Sequence, residues 1–238
     1  MKVHDVLWRA GGRLQTGSIE TDDVGSSREQ GETKLSEEYE RWEARYSAPD
    51  YIFGKEPNYF LAKCRQLLPK SGRALAIADG EGRNSVWLAE QGLDVHAIDF
   101  SPAGQHKARA LARERGVNVT FELADAHTWA FPEAAYDVVC EIFTQFSSPA
   151  ERALKWAGMC KALKPDGLLI IQGYTPKQLG YGTGGPKELD QMYTKPMLEK
   201  AFAGFQDMVV TEEELEMNEG TRHSGMSAVI GLTCRKPK

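Results

Sequence analysis

From Arg73 onward, short apolar runs alternate with longer stretches whose apolar positions recur at helical spacing. The runs Arg73–Ala78, Asp94–Asp99, Asn118–Leu123, Tyr136–Ile142 and Leu168–Tyr174 read as strands. Between them, Arg83–Gln91, Pro102–Arg115 and Ala150–Leu163 read as helices, with a shorter irregular connection around Ala126–Glu133. A helix near Lys195–Ala203 precedes two long strand-like runs, "DMVVTEEELEM" and "SAVIGLTC". Such alternation predicts a parallel sheet with helices on both faces. Upstream, Tyr39, Trp42 and Tyr46 recur at helical spacing in "LSEEYERWEARY", with Ser36 as the N-cap. The loop "SAPDYIFGKEPN" then leads to a helix over Tyr59–Leu68 that Pro69 ends. Residues 1–35 are rich in Gly, Ser, Thr and charge without apolar periodicity, and are expected to form a weakly ordered arm. The domain proper is therefore expected over 36–238, with 36–70 as a helical lid.

A length of 238 residues with 41% hydrophobic positions suffices for one large α/β domain with a real core. A net charge of -5 argues against a nucleic-acid surface. No run approaches the roughly 20 apolar residues that span a bilayer, and the first residues lack the apolar core of a secretory signal. Cys64, Cys140, Cys160 and Cys234 show neither metal-ligand nor disulfide-framework spacing. A cytoplasmic protein without a metal centre, working on a small molecule rather than a membrane or nucleic acid, is expected.

Chemistry concentrates in "LAIADGEGRNSVWLAEQGLDVHAIDFSP", Leu75 to Pro102. Gly80 and Gly82 stand where strand becomes helix, so the backbone can turn sharply and admit a ligand near the helix N–H groups. Asp99 ends the second strand roughly 20 residues on, the spacing that puts a carboxylate on ribose hydroxyls. Each feature alone is as well explained by a tight connection and a solvated Asp, whereas their combination points to a nucleoside. The helix begins Arg83-Asn84-Ser85 where a dinucleotide site needs a third glycine, so a ligand without pyrophosphate fits better. Asp125, after the third strand, suits an adenine amino group.

With these motifs the chain resembles class I S-adenosylmethionine-dependent methyltransferases. The similarity runs from about Trp42 to the C-terminus through "GKEPNYFL", "GEGRNSVWLAEQG", "AIDFSP" and "LKPDGLLIIQGYTP". Within that superfamily it most resembles small bacterial enzymes of the tellurite-resistance and thiopurine-methyltransferase-like kind. The resemblance implies a Rossmann-like, doubly wound, three-layer α/β/α fold, with a mostly parallel seven-stranded sheet and an antiparallel last strand beside strand five. It implies S-adenosyl-L-methionine as cofactor and S-adenosyl-L-homocysteine as product. Gly80 and Gly82 would line the methionine part, Asp99 would take the ribose, Phe100 would lie on adenine, and Asp125 with Ala126 would meet the adenine edge. Asn84, Ser101 and Glu141 complete the expected cofactor set. The motif departs from the family's at Ala76 and Ala78, which replace its acidic residue and first glycine. Asp79 or Glu81 is then expected to face the cofactor's ammonium. A dinucleotide-dependent oxidoreductase and a non-catalytic cofactor-binding module are the alternatives.

Ligands of open α/β sheets bind beyond the carboxyl ends of the strands. That edge carries many aromatics, among them Trp42, Tyr46, Tyr51, Phe53, Tyr59, Phe143, Phe146, Tyr174 and Tyr181, and ring faces attract a sulfonium. Trp42, Tyr46, Tyr59 and Phe143 are expected at the acceptor or in the lid, although packing alone accounts for roughly half of such aromatics. Gly184 and Gly185 of "GTGGP" form either an anion-holding loop or a plain surface connection. His223, in "NEGTRHSG", falls near the methyl group by topology and is a candidate base, with Tyr174 as a second catalytic candidate.

Overall fold

The apolar runs pair into a seven-stranded sheet of order β3-β2-β1-β4-β5-β7-β6 in a computed structural model that describes residues 37–238. The arm expected over 1–35 and the Ser36 cap lie outside these residues. The strands are β1 Arg73–Ile77, β2 Asp94–Asp99, β3 Val119–Leu123, β4 Tyr136–Ile142, β5 Leu163–Tyr174, β6 Gln206–Glu219 and β7 His223–Arg235. β1 to β5 pair in parallel. β7 is antiparallel to both neighbours, which leaves β6 parallel to the rest. Strand order reverses between β1 and β4, the place where sheets of this kind open a crevice.

The helices are α1 over 37–46, α2 Tyr59–Lys63, α3 Arg83–Glu90, α4 Pro102–Arg115, α5 Pro149–Ala162 and α6 Lys195–Ala201. Alternate strand residues feed two cores, as a sheet covered on both faces requires. Leu75 and Ile77 of β1 pack with Trp156 and Met159 of α5, with Leu198 of α6 and with Phe202 just after it. Ala74 and Ala76 pack with Phe60 and Leu61 of α2 and with Leu88 of α3. Ser101 caps α4 by accepting from the Gly104 N–H, and Ser148 with Glu151 forms a capping box on α5. Tyr39–Lys238 form one compact unit.

Several boundaries shift from expectation, β7 beginning at His223 rather than Ser227 among them, and two of the shifts have a visible cause. The helix expected over Tyr59–Leu68 breaks into α2 and a 3-10 turn, Cys64–Leu67. Leu68 precedes Pro69 and is extended (ψ 141°), since the proline ring disfavours helix at the residue before it. β5 starts at Leu163 rather than Leu168, because Leu163 pairs with Tyr136 across a register shift in β4.

Candidate active site

After Ile77 the backbone turns through left-handed conformations at Ala78 (φ 48°), Gly80 (φ 58°) and Gly82 (φ 89°). Ala78 has a Cβ and no glycine's freedom, and its left-handed φ is strain of the kind that collects at ligand sites. A Cβ on Gly82 would stand 2.6 Å from the Cβ of Ala108, so the missing side chain lets α3 start against α4. The Asp99 carboxylate receives the N–H of Gly80 and the N–H of Ser101, each at 2.8 Å. Burial outweighs those two bonds and pushes Asp99 up to about 6. Asp79 accepts from the Ser85 N–H at 3.1 Å and from the Ser85 hydroxyl. Burial pushes it up to about 7.

These carboxylates border a hollow of about 590 Å3, counting its open mouth, at the carboxyl edge of the sheet. Ala78 and Phe100 join them from the first two strands; Ile142, Phe143, Thr144 and Phe146 follow β4, and His223 begins β7. Phe143 is also left-handed, at φ 56°. Trp42, Tyr46 and Phe53 complete the lining. Tyr46 lies directly on the turn: a Cβ on Gly80 would come 2.5 Å from its hydroxyl. Burial, with Asp99, Glu81 and Asp79 nearby, pushes that hydroxyl well above the usual tyrosine range.

The covering segment is fastened by the first turn of α3 and the end of β6. Glu81 accepts from the N–H groups of Ile52 (3.2 Å) and Phe53 (3.3 Å) and pairs with Lys107 at 2.8 Å. Arg83 donates to the Phe53 carbonyl at 3.0 Å and pairs with Glu219 at 2.8 Å. The Asn84 carbonyl accepts from the Asn58 N–H at 3.0 Å, and Glu219 accepts from the Tyr59 N–H at 2.8 Å. Burial alone raises the Glu219 carboxyl, but His223, Arg83 and the Tyr59 N–H together hold it down to about 2. His223 sits between Phe53 and Phe143, ring centroids 4.5 and 4.6 Å away. Its Nδ1 is buried without a hydrogen-bond partner, 3.7 Å from Glu219 Oε2, so that contact is electrostatic. Burial lowers the imidazole below its usual range, partly opposed by Glu219.

The structure brings Asp79, Asn84, Asp99, Phe100, Trp42, Tyr46, Phe143 and His223 to this hollow, with Gly80 beneath Tyr46. Several expected residues stand elsewhere. Glu81 is committed to the covering segment, so of the two acids only Asp79 faces the hollow. Ser101 is buried, capping α4 and donating to Glu43. Asp125 bonds the His127 N–H at 2.9 Å, and Ala126 belongs to the core. Glu141 is fully buried: it pairs with Lys155 at 2.7 Å and accepts from Trp156 (2.7 Å), Thr144 (2.5 Å) and Tyr193 (3.0 Å). Burial raises its carboxyl, but Lys155 and these donors bring it below the usual range. Tyr59 bonds Glu213 at 3.1 Å on β6. Tyr174 lies behind Phe143 (centroids 4.6 Å apart), with Gly185 packed against its ring and Gly184 near its hydroxyl. Arg83, Ile142 and Thr144 line the hollow without having been expected there. Arg83 was readable from its place beside Gly82, whereas Thr144 carries no local signal.

Residues 74–167 match the family described as "Methyltransferase domain". This stretch is similar to the methyltransferase domains of that family. Among curated relatives, a demethylmenaquinone methyltransferase of Thermus thermophilus is 33% identical over 110 residues, 45% of this chain and 50% of that protein. The chain spans about half the length of the curated relatives it matches. Around the domain, the fold matches a SAM-dependent methyltransferase from Methanosarcina mazei (TM-score 0.62, 19% identity), covering 76% of this chain and 99% of that one. It also matches Haemonchus contortus phosphoethanolamine N-methyltransferase 2 in complex with S-adenosyl-L-methionine (TM-score 0.60, 19% identity), covering 83% and 56%. The seven-stranded sheet with its antiparallel last strand is the shared architecture.

Proposed function

We propose that the chain is an S-adenosylmethionine-dependent methyltransferase acting on a small molecule, and that the hollow beside the methyltransferase domain's glycine turn is its active site. One observation carries this reading. Two carboxylates, Asp99 buried and Asp79 half-buried, face an aromatic-walled hollow at the strand switch point, and loss of water around them raises both, Arg83 offsetting only part of the rise at Asp79. Arg83, the cation beside them, is already paired with Glu219. Such a site suits a ligand that brings positive charge and hydroxyl donors. Asp99 then takes the ribose hydroxyls, Asp79 faces the ammonium and Phe100 lies against the base, while the space beside Gly80 is taken by the Tyr46 hydroxyl. Trp42, Tyr46 and Phe53 form a lid that excludes water and turns ring faces to the sulfonium.

The cofactor supplies an electrophilic methyl group on a good leaving group. The chain's own contribution is alignment of the acceptor, which is worth on the order of 7–11 kcal/mol of the barrier. The narrower placement among tellurite-resistance and thiopurine-methyltransferase-like enzymes rests on motif likeness. A cytoplasmic site of action is supported by the free cysteines, Cys64, Cys140 and Cys234 buried and Cys160 half-buried. Among the described residues no helix is long and apolar enough to cross a membrane, and no cluster of His, Cys, Asp or Glu could hold a metal ion. Calorimetric titration with S-adenosylhomocysteine is the test: micromolar binding that Asp99→Ala abolishes supports the reading, and no binding at millimolar ligand defeats it.

A further inference from the structure

The acceptor end of the hollow has a chemistry of its own. His223 begins β7 with Nδ1 turned into the protein, so Nε2 is the ring nitrogen left for the hollow that His223 lines. Its walls are aromatic, with the rings of Phe53 and Phe143 against the imidazole at 4.5 and 4.6 Å. The charged and titratable groups facing it are Glu219 from β6, Arg83 from α3 and the buried Tyr174 hydroxyl from β5. Glu219 and Arg83 neutralise one another at 2.8 Å, and Arg83 spends a further donor on the Phe53 carbonyl. Across the hollow stand Asp79 and Asp99, both acidic. No cation in the lining is therefore free to receive an anion, while two carboxylates repel one.

We infer that the methyl acceptor enters as a neutral O–H or N–H group on a small flat apolar body, and that His223 Nε2 takes its proton as the methyl group transfers. This rests on the methyltransferase reading above. The bond from the acceptor oxygen or nitrogen to the methyl carbon forms as the sulfur–methyl bond breaks. The sulfonium keeps that electron pair as a neutral thioether, and the proton passes to the imidazole. Burial keeps His223 uncharged at neutral pH, as a base must be. An oxyanion acceptor needs no base, and both an oxyanion and a carboxylate-bearing thiol meet the wrong charge here.

The probes are 1-naphthol, as a flat neutral hydroxyl, against potassium tellurite and mercaptoacetate as anions. The first readout is independent of turnover. In protein loaded with S-adenosylhomocysteine and labelled at histidine, the His223 ring signal, assigned by its loss in His223→Gln, titrates below pH 6.5. It shifts when 1-naphthol is added and stays put with either anion. The second uses saturating labelled S-adenosylmethionine: 1-naphthol is methylated, with a rate that rises with pH to a plateau set by the same titration. His223→Gln loses about 100-fold in that rate while its affinity for S-adenosylhomocysteine stays within twofold, which shows that the variant folds. Three results overturn the inference while sparing the cofactor reading. These are methylation of either anion but not of 1-naphthol, His223→Gln within threefold of wild type, and normal S-adenosylhomocysteine binding with neither binding nor methylation of 1-naphthol. Loss of S-adenosylhomocysteine binding by the wild type overturns both.

Discussion

Cofactor affinity should fall steeply as pH is lowered from 7.5 to 5, and the size of the fall can be worked from Asp79. In the empty protein this carboxyl titrates at about 7, because burial outweighs its bonds from Ser85. A ligand ammonium binds the ionised form, so each pH unit below 7 adds the cost of removing one proton, about 1.4 kcal/mol. At pH 5 that is about 2.7 kcal/mol, roughly 100-fold in Kd. Asp99, at about 6, adds up to about another tenfold by pH 5 if the ribose hydroxyls also require its ionised form. S-adenosylhomocysteine is the ligand of choice, since its own amine is mostly protonated below pH 7.5 and it does not turn over. Calorimetry from pH 5 to 7.5 reads the slope, and Asp79→Asn should both weaken binding at pH 7.5 and remove most of the slope. A Kd constant within threefold over this range refutes the assignment of Asp79 to the ligand's cation, as does an Asp79→Asn variant that keeps the full slope.

The same carboxyl makes an opposite prediction for the empty protein. A folded pKa raised above the unfolded value gives stability that is fully present below about pH 4 and lost as pH rises through about 7. Asp79→Asn should therefore raise the melting temperature of the ligand-free protein at pH 8 and leave it nearly unchanged at pH 4, the upper bound at pH 8 being on the order of 4 kcal/mol. Lys155→Met strands Glu141 as a buried charge and should destabilise by about 3–5 kcal/mol in urea unfolding, whereas adding Glu141→Gln should return most of that loss. Gly82→Ala must fit a Cβ at φ 89° and 2.6 Å from Ala108, so it should lower stability by about 1–3 kcal/mol, read as a lower urea midpoint with unchanged slope.

The fold was largely legible because its signals are local. The strand over Asp94–Asp99 and the helix over Pro102–Arg115 match expectation residue for residue, since an apolar run, a Ser-Pro start and a Gly116 stop lie within one stretch of chain. The misplaced start of β5 shows the limit. Leu163 becomes strand through its pairing with Tyr136 and a register shift in a neighbouring strand, which no window on its own segment contains. The acidic run "TEEELE" lies within β6, where Glu213 and Glu214 meet Lys63 and Lys177, so charge that reads as a solvated face is also strand.

The site was legible only in part, for a physical reason visible in the residues that went elsewhere. Glu81 sits in the glycine turn's own sequence window and looks like a ligand group, yet its partners are Ile52, Phe53 and Lys107, far away in sequence; Arg83 and Asn84 reach the hollow but also hold the covering segment. Glu141, at the carboxyl end of a central strand, has the address of a site residue, but Lys155 reaches it from the next helix and turns it into a buried hub. Asp79 and Asp99 differ from these acids in one respect: their hydrogen-bond partners are backbone N–H groups and a serine, and among the described residues no cation forms an ion pair with either. An acid that the fold pairs internally is spent on structure. An acid that the fold buries and leaves without an ion-pair partner is destabilised in its charged form, and that shortage is the physical support for proposing a charged ligand at the glycine turn.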